Sequence, residues 1–151
     1  MARADTPVEL SASRVEIVEA FTRWLDLGTG PGLDGVEVYV QPRLNDGQPV
    51  RSGGGVLVEL YAFNPASGDP KGRRAELWSI ALETEEQRGR HWNRATEMYE
   101  LRLQLSESSL PLKPGEKHVL VVTHNSAAGM HLSDRMMLDV PLARSITSAK
   151  R

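Results

Sequence analysis

Few side chains in this sequence are equipped for chemistry. Four histidines, His91, His118, His124 and His131, change charge near neutral pH. Two of them flank the turn-rich Asn125-Ser126-Ala127-Ala128-Gly129. A hairpin with its loop at residues 126–129 sets His124 directly opposite His131 on one face, Cβ atoms about 5 Å apart. Two neutral imidazoles at that spacing suit Zn²⁺ or a pH-sensitive pair. A third ligand is missing, since Asp134 falls on the opposite face in unbroken register. The same two residues also read as polar groups at a hairpin end.

Asp26, Asp34 and Asp46 lie in glycine-containing segments that could meet at one end of a fold, where hard oxygens hold Ca²⁺. No D-x-D-x-D spacing accompanies them, and Asp with Gly is also what turns require for local hydrogen bonds and positive φ. Gly30-Pro31-Gly32-Leu33-Asp34-Gly35 matches the dinucleotide pattern G-x-G-x-x-G, whose mechanism needs a helix N-terminus after it. Here a β-type segment ending in Pro42 follows, so the glycines read as a turn. Gly53-Gly54-Gly55 has no Gly-Lys-Ser/Thr after it and is not a P-loop.

Arg73, Arg74, Arg88, Arg90 and Arg94 surround His91 and Trp92, a composition able to meet phosphate or carboxylate. Glu76, Glu83, Glu85 and Glu86 nearly cancel it, and the whole chain prefers Arg to Lys, 14 to 4. Trp24, Trp78 and Trp92 could stack on a sugar, although tryptophan at strand spacing belongs more often to a core. No G-x-S-x-G, H-E-x-x-H or cysteine nucleophile occurs. A Ser/His/Asp set is recognised by geometry rather than motif, so the sequence reads as non-enzymatic only on what it displays.

These residues must be carried by one domain, because 151 residues leave no room for a second core. A hydrophobic share of 40% with 25% charged residues is that of a globular chain. The formal charge of −2 offers no general field for a phosphate backbone, which disfavours nucleic acid as a partner. The absence of cysteine removes disulfides, thiolate metal sites and iron–sulfur clusters. No apolar run reaches membrane-spanning length, and residues 1–7 lack the apolar centre of a signal peptide.

The dominant pattern has period two. Val36, Val38 and Val40 alternate with Glu37, Tyr39 and Gln41, and Tyr99, Leu101, Leu103 and Leu105 with Glu100, Arg102 and Gln104. Residues 56–63, 75–82, 118–124 and 130–140 read as further strands, the last two as a closing hairpin. Thr84-Glu85-Glu86-Gln87 has capping-box spacing and predicts one or two helical turns. Residues 14–27 fit an amphipathic helix or a strand; a strand over residues 14–21 is favoured.

Arg14-Val-Glu-Ile, Leu25-Asp26-Leu27-Gly28, Asp34-Gly35-Val36 and Gln41-Pro42-Arg43, followed by Leu77-Trp78-Ser79, Tyr99-Glu100-Leu101-Arg102-Leu103 and Val121-Val122-Thr123, resemble an uncharacterised family of bacterial β-sandwich domains. The resemblance implies the fold and an exported, periplasmic or lipoprotein-like location, with a leader absent from this chain. It implies no activity.

The expectation is therefore an all-β chain. It forms a single antiparallel sandwich of about seven or eight strands, immunoglobulin-like or transthyretin-like, with at most one or two short helical turns. The domain should span residues 8–142, between a flexible segment 1–7 and a flexible tail 143–151. Its core should draw on Val36, Val38, Val40, Val58, Leu60, Trp78, Ile80, Leu101, Leu103, Val119, Val121, Met136 and Leu138. Functionally it is expected to be a binding or structural module for another protein or envelope macromolecule. The alternative is a metal or carbohydrate site, using His124 with His131 for Zn²⁺ or Asp26 and Asp34 for Ca²⁺.

Overall fold

The computed structural model describes residues 11–28, 32–66 and 68–142. The expected flexible segments 1–7 and 143–151, and residues 30 and 31 of the glycine motif, lie outside them. Two antiparallel sheets face each other, which makes the chain the all-β sandwich that its alternation predicts. One sheet contains β1 (Arg14–Ile17), β2 (Arg23–Leu25), β3 (Gly35–Arg43), β6 (Trp92–Asn93) and β7 (Met98–Gln104), ordered β1-β3-β7-β6 with β2 also on β3. The other is ordered β5-β4-β8-β9, from β4 (Gly54–Phe63), β5 (Lys71–Leu82), β8 (Lys117–Ser126) and β9 (His131–Asp139). The nine strands among the described residues exceed the expected seven or eight because β2 and β6 are only three and two residues long.

Strand pleat decides the core. Val36, Val38 and Val40 of β3 and Tyr99, Leu101 and Leu103 of β7 face Val56, Val58 and Leu60 of β4 and Leu120 and Val122 of β8. Trp78, Ile80 and Met136 pack against this centre from partly buried positions. Burial of these branched side chains, each worth about 1.5–3 kcal/mol, is the main force holding the layers together. Val121 is a correction to the expected core: with Val119 it lies on the opposite side of β8 from the inward residues Leu120 and Val122, and of the two only Val119 is buried as expected. The run Val119-Leu120-Val121-Val122 is apolar on both faces, so alternation could not choose between them.

The favoured strand at residues 14–21 survives only as β1. Val18 to Thr22 form a tight turn, with the amides of Phe21 and Thr22 both donating to the Val18 carbonyl. Thr84 caps α1 (Glu85–His91): its hydroxyl accepts from the Gln87 amide, and the Gln87 side chain accepts from the Thr84 amide. The predicted capping box is thus formed.

Both open flanks of the sandwich are stapled by side chains. On one, Asp134 of β9 accepts from the Ile17 amide of β1 at 2.8 Å, and the Trp24 indole donates to the Asp139 carbonyl at 3.0 Å. On the other, the Trp78 indole of β5 donates to the Gln104 carbonyl at 3.1 Å, and the Glu76 carboxylate accepts from Ser106 and Ser109.

Candidate functional site

The closing hairpin forms, but in a different register from the one that paired the histidines. The Ser126 amide donates to the Met130 carbonyl, and Gly129 adopts φ 91°, leaving a loop of three residues rather than four. His124 therefore pairs with Leu132, and His131 with Asn125. A shift of one residue turns a side chain to the other face. His124 points into the core while His131 is exposed outside, its Nδ1 against Asn125 Oδ1. The expected His124–His131 pair is therefore not formed.

His124 instead belongs to a buried polar network. Its Nδ1 lies 2.9 Å from the Gly55 carbonyl oxygen, which can only accept, so Nδ1 carries the proton. Neutral Nε2 then accepts from the Ser52 hydroxyl at 2.8 Å, and that oxygen accepts from the Ala12 amide at 3.0 Å. The Tyr99 hydroxyl donates to the Ser52 carbonyl at 2.8 Å. Burial lowers the His124 pKa, and the bond to Gly55 partly opposes this. Ser52 and His124 have the spacing of a nucleophile and its base, but both are completely buried, and the Ala12 backbone covers the hydroxyl. Sequence spacing alone gave no sign of this pair, which is 72 residues apart.

The aspartates serve turns. Asp26 accepts from the Gly28 amide, Asp46 from the Gln48 amide and buried Asp34 from the Leu27 amide. Among the described residues no group of three His, Asp or Glu is placed to hold a metal ion. Gly35 opens β3, so no helix follows the glycine motif. The arginine cluster is divided among partners: Arg74 pairs with Glu59, Arg88 with Glu85 and Arg90 with Glu86. The tryptophans do not form a platform, since Trp24 and Trp78 staple opposite flanks and Trp92 packs edge-on against Tyr99.

What remains is a contrast between the outward faces. On the β1-β3-β7-β6 sheet Glu37 is held between Arg23 at 3.1 Å and Arg102 at 3.2 Å, and Gln41 donates to the Glu97 carbonyl. On the β5-β4-β8-β9 sheet the cross-strand rows are Ser79-Leu57-Thr123-Ser133, Leu77-Glu59-Val121-Arg135 and, one step on, Tyr61-Val119-Met137. Val119, the cross-strand partner of Tyr61 and Met137, is only 1% exposed although it faces away from the core. Leu77 and Met137 are 45% and 41% exposed. The charges of this face are already paired: Glu59, mid-row between Leu77 and Val121, with Arg74, and at its margin Arg135 with Asp69 and Lys117 with Asp139.

This face ends in a shallow groove of about 540 Å³ over Gly54 and Gly55, walled by Ser79, Ala81, Asn125 and Ala127. A Cβ on Gly54, whose φ is 116°, would come within 2.1 Å of the Asn125 carbonyl oxygen, so close strand approach accounts for that glycine. Sequence reading missed this face because Val119 and Val121 were assigned to the core and Leu57, Leu77 and Met137 were given no role. No protein family, characterised protein or solved structure matches the chain, so function must be read from its own geometry. No helix among the described residues is long and apolar enough to cross a membrane.

Proposed function

We propose that the chain is a non-enzymatic binding module that engages another protein through the outward face of the β5-β4-β8-β9 sheet. The observation that carries this reading is an outward apolar group, Leu57, Leu77, Val121 and Met137, in which the one charge among them, Glu59, is paired with Arg74, and at whose margin Arg135 is paired with Asp69. An apolar group with polar margins is the anatomy of a protein interface. Paired charges cost little to bring into contact, whereas a nucleic-acid surface would need free cations. The enclosure of Ser52 and His124 supports the non-enzymatic part, because a nucleophile must reach its substrate.

A benzophenone side chain at Met137, compared with one at Arg102 on the other sheet, tests the reading in extract of the producing cells. The expected outcome is a discrete protein adduct from Met137 alone that disappears when Val121→Asp is added. Equal labelling from both positions, no adduct, or an adduct indifferent to Val121→Asp would overturn it.

A further inference from the structure

Among the described residues the sheets end in β1 and the short β2, in the two-residue β6 beside β7, in β5 and in β9, and these edges are not equally protected. β1 receives Asp134 on its outer side, β9 lies alongside β1 and carries Asp134, Arg135 and Asp139, and β7 is met by β6 and the Trp78 indole. Such coverage and charge are how β-proteins keep edges from pairing. β5 differs. From Ala75 to Leu82 it reads Ala-Glu-Leu-Trp-Ser-Ile-Ala-Leu, and its one charge, Glu76, is turned away to Ser106 and Ser109.

The direction of its backbone groups follows from the ladder. The Ala127 amide donates to the Gly53 carbonyl, so odd residues of β4 bond β8 and even residues bond β5. Their partners on β5 are Glu76, Trp78, Ile80 and Leu82. The amides and carbonyls of Leu77, Ser79 and Ala81 consequently point off the sheet, from exposed residues, with no partner among the described residues.

We infer that this edge pairs with the same edge of a second copy, antiparallel about Ser79. That register sets Ser79 against its equivalent and Leu77 against Ala81 of the partner copy, all with backbone groups of the correct direction. Charge selects a second copy as the occupant. β5 begins with Lys71, Arg73 and Arg74, and the chain just past its end carries Glu83, Glu85 and Glu86. Antiparallel self-pairing brings the basic start alongside the acidic end. Arg73 and Glu83 are exposed and make no ion pair among the described residues. The product is a continuous eight-stranded sheet with two-fold symmetry, the commonest closure for homo-oligomers. The edge pairs through backbone groups of β5 and the outward face acts through side chains; Leu77 and Ser79 belong to both, but Ser79→Pro removes only the backbone pairing and Val121→Asp only the face, so this inference and the reading above can fail separately.

The absence of cysteine makes the test direct. The full chain should sediment as a concentration-dependent dimer. Under mild oxidation Ser79→Cys should give a disulfide dimer, since hydrogen-bonded antiparallel partners stand about 5.5 Å apart at Cα, within disulfide reach. Leu77→Cys, displaced from its own equivalent in this register, should not. Ser79→Pro removes only an amide that points off the sheet and should raise the dimer dissociation constant by about a hundredfold or more, with the circular dichroism of the fold retained. Arg73→Glu should weaken the dimer, and adding Glu83→Arg should restore it. A chain that is monomeric at every concentration, or equal crosslinking of Ser79→Cys and Leu77→Cys, overturns the inference and leaves the edge to a strand of another protein.

Discussion

At mid-strand on the β1-β3-β7-β6 sheet the outward row is Arg23, Glu37 and Arg102; on the other sheet it is Leu77, Glu59, Val121 and Arg135. The first row is closed on itself. Two arginines that are 65% and 66% exposed cover a carboxylate that is 3% exposed, so the polar requirements are met within the sheet. The second row leaves Leu77 and Val121 facing outward. One sandwich thus has a face completed by its own charges and a face on which apolar groups, Leu77 and Met137 among them, stay exposed. The difference teaches that burial by itself does not mark the core here: Val119 is as buried as Leu120 yet stands on the other side of the sheet.

Neighbouring residues of β8 give the sharpest test. Leu120→Ala removes an inward side chain from the packed interior and should cost about 3 kcal/mol in urea unfolding. Val121→Ala, one residue on, should cost less than about 1 kcal/mol because its methyl groups lie outside. Equal losses would erase the distinction between the faces.

A pH titration of stability separates the interior from both faces. Burial lowers the pKa of His124, and of His118, where Glu116 partly opposes it, below the ordinary 6.5. The unfolded chain then binds protons more readily than the folded one. Stability is fully present above about pH 6.5 and falls as the pH drops below it, down to the folded-state pKa values. Each histidine contributes a slope of at most about 1.4 kcal/mol per pH unit. His124→Gln should remove its share of that slope, and an unchanged slope in the variant would show that His124 does not titrate with unfolding.

The smallest expected effect lies on the closed face. Glu37→Gln leaves Arg23 and Arg102 facing a neutral amide and should cost about 1 kcal/mol at low salt, less as salt rises. A loss indifferent to salt would mean that packing, rather than charge, holds this row.

The strands and their two-layer arrangement were legible because alternation reports one buried face directly, as in Val36 to Val40 and Tyr99 to Leu103. The capping box at Thr84 was legible because its chemistry is local. The hairpin register was not, since it turned on Gly129 taking positive φ and shortening the loop by one residue. The direction of Val119 and Val121 was hidden because both faces of β8 are apolar, and that same ambiguity is the trace in sequence of the outward apolar face. Ser52 left no trace at all, since its partners come from residues 12, 99 and 124.

That hub bears on the order in which the chain is made. Ser52 bonds to positions 40, 47 and 72 residues away, and β3 and β4 find their central partners only in β7 and β8. Closing such distant contacts carries an entropic cost before any return, which delays them relative to the local β4–β5 and β8–β9 hairpins. A nascent chain emerging from the ribosome therefore holds β1 to β5 without either layer complete. It acquires both sheets, the buried histidine and the completed Ser52 network together, once β8 is free to insert.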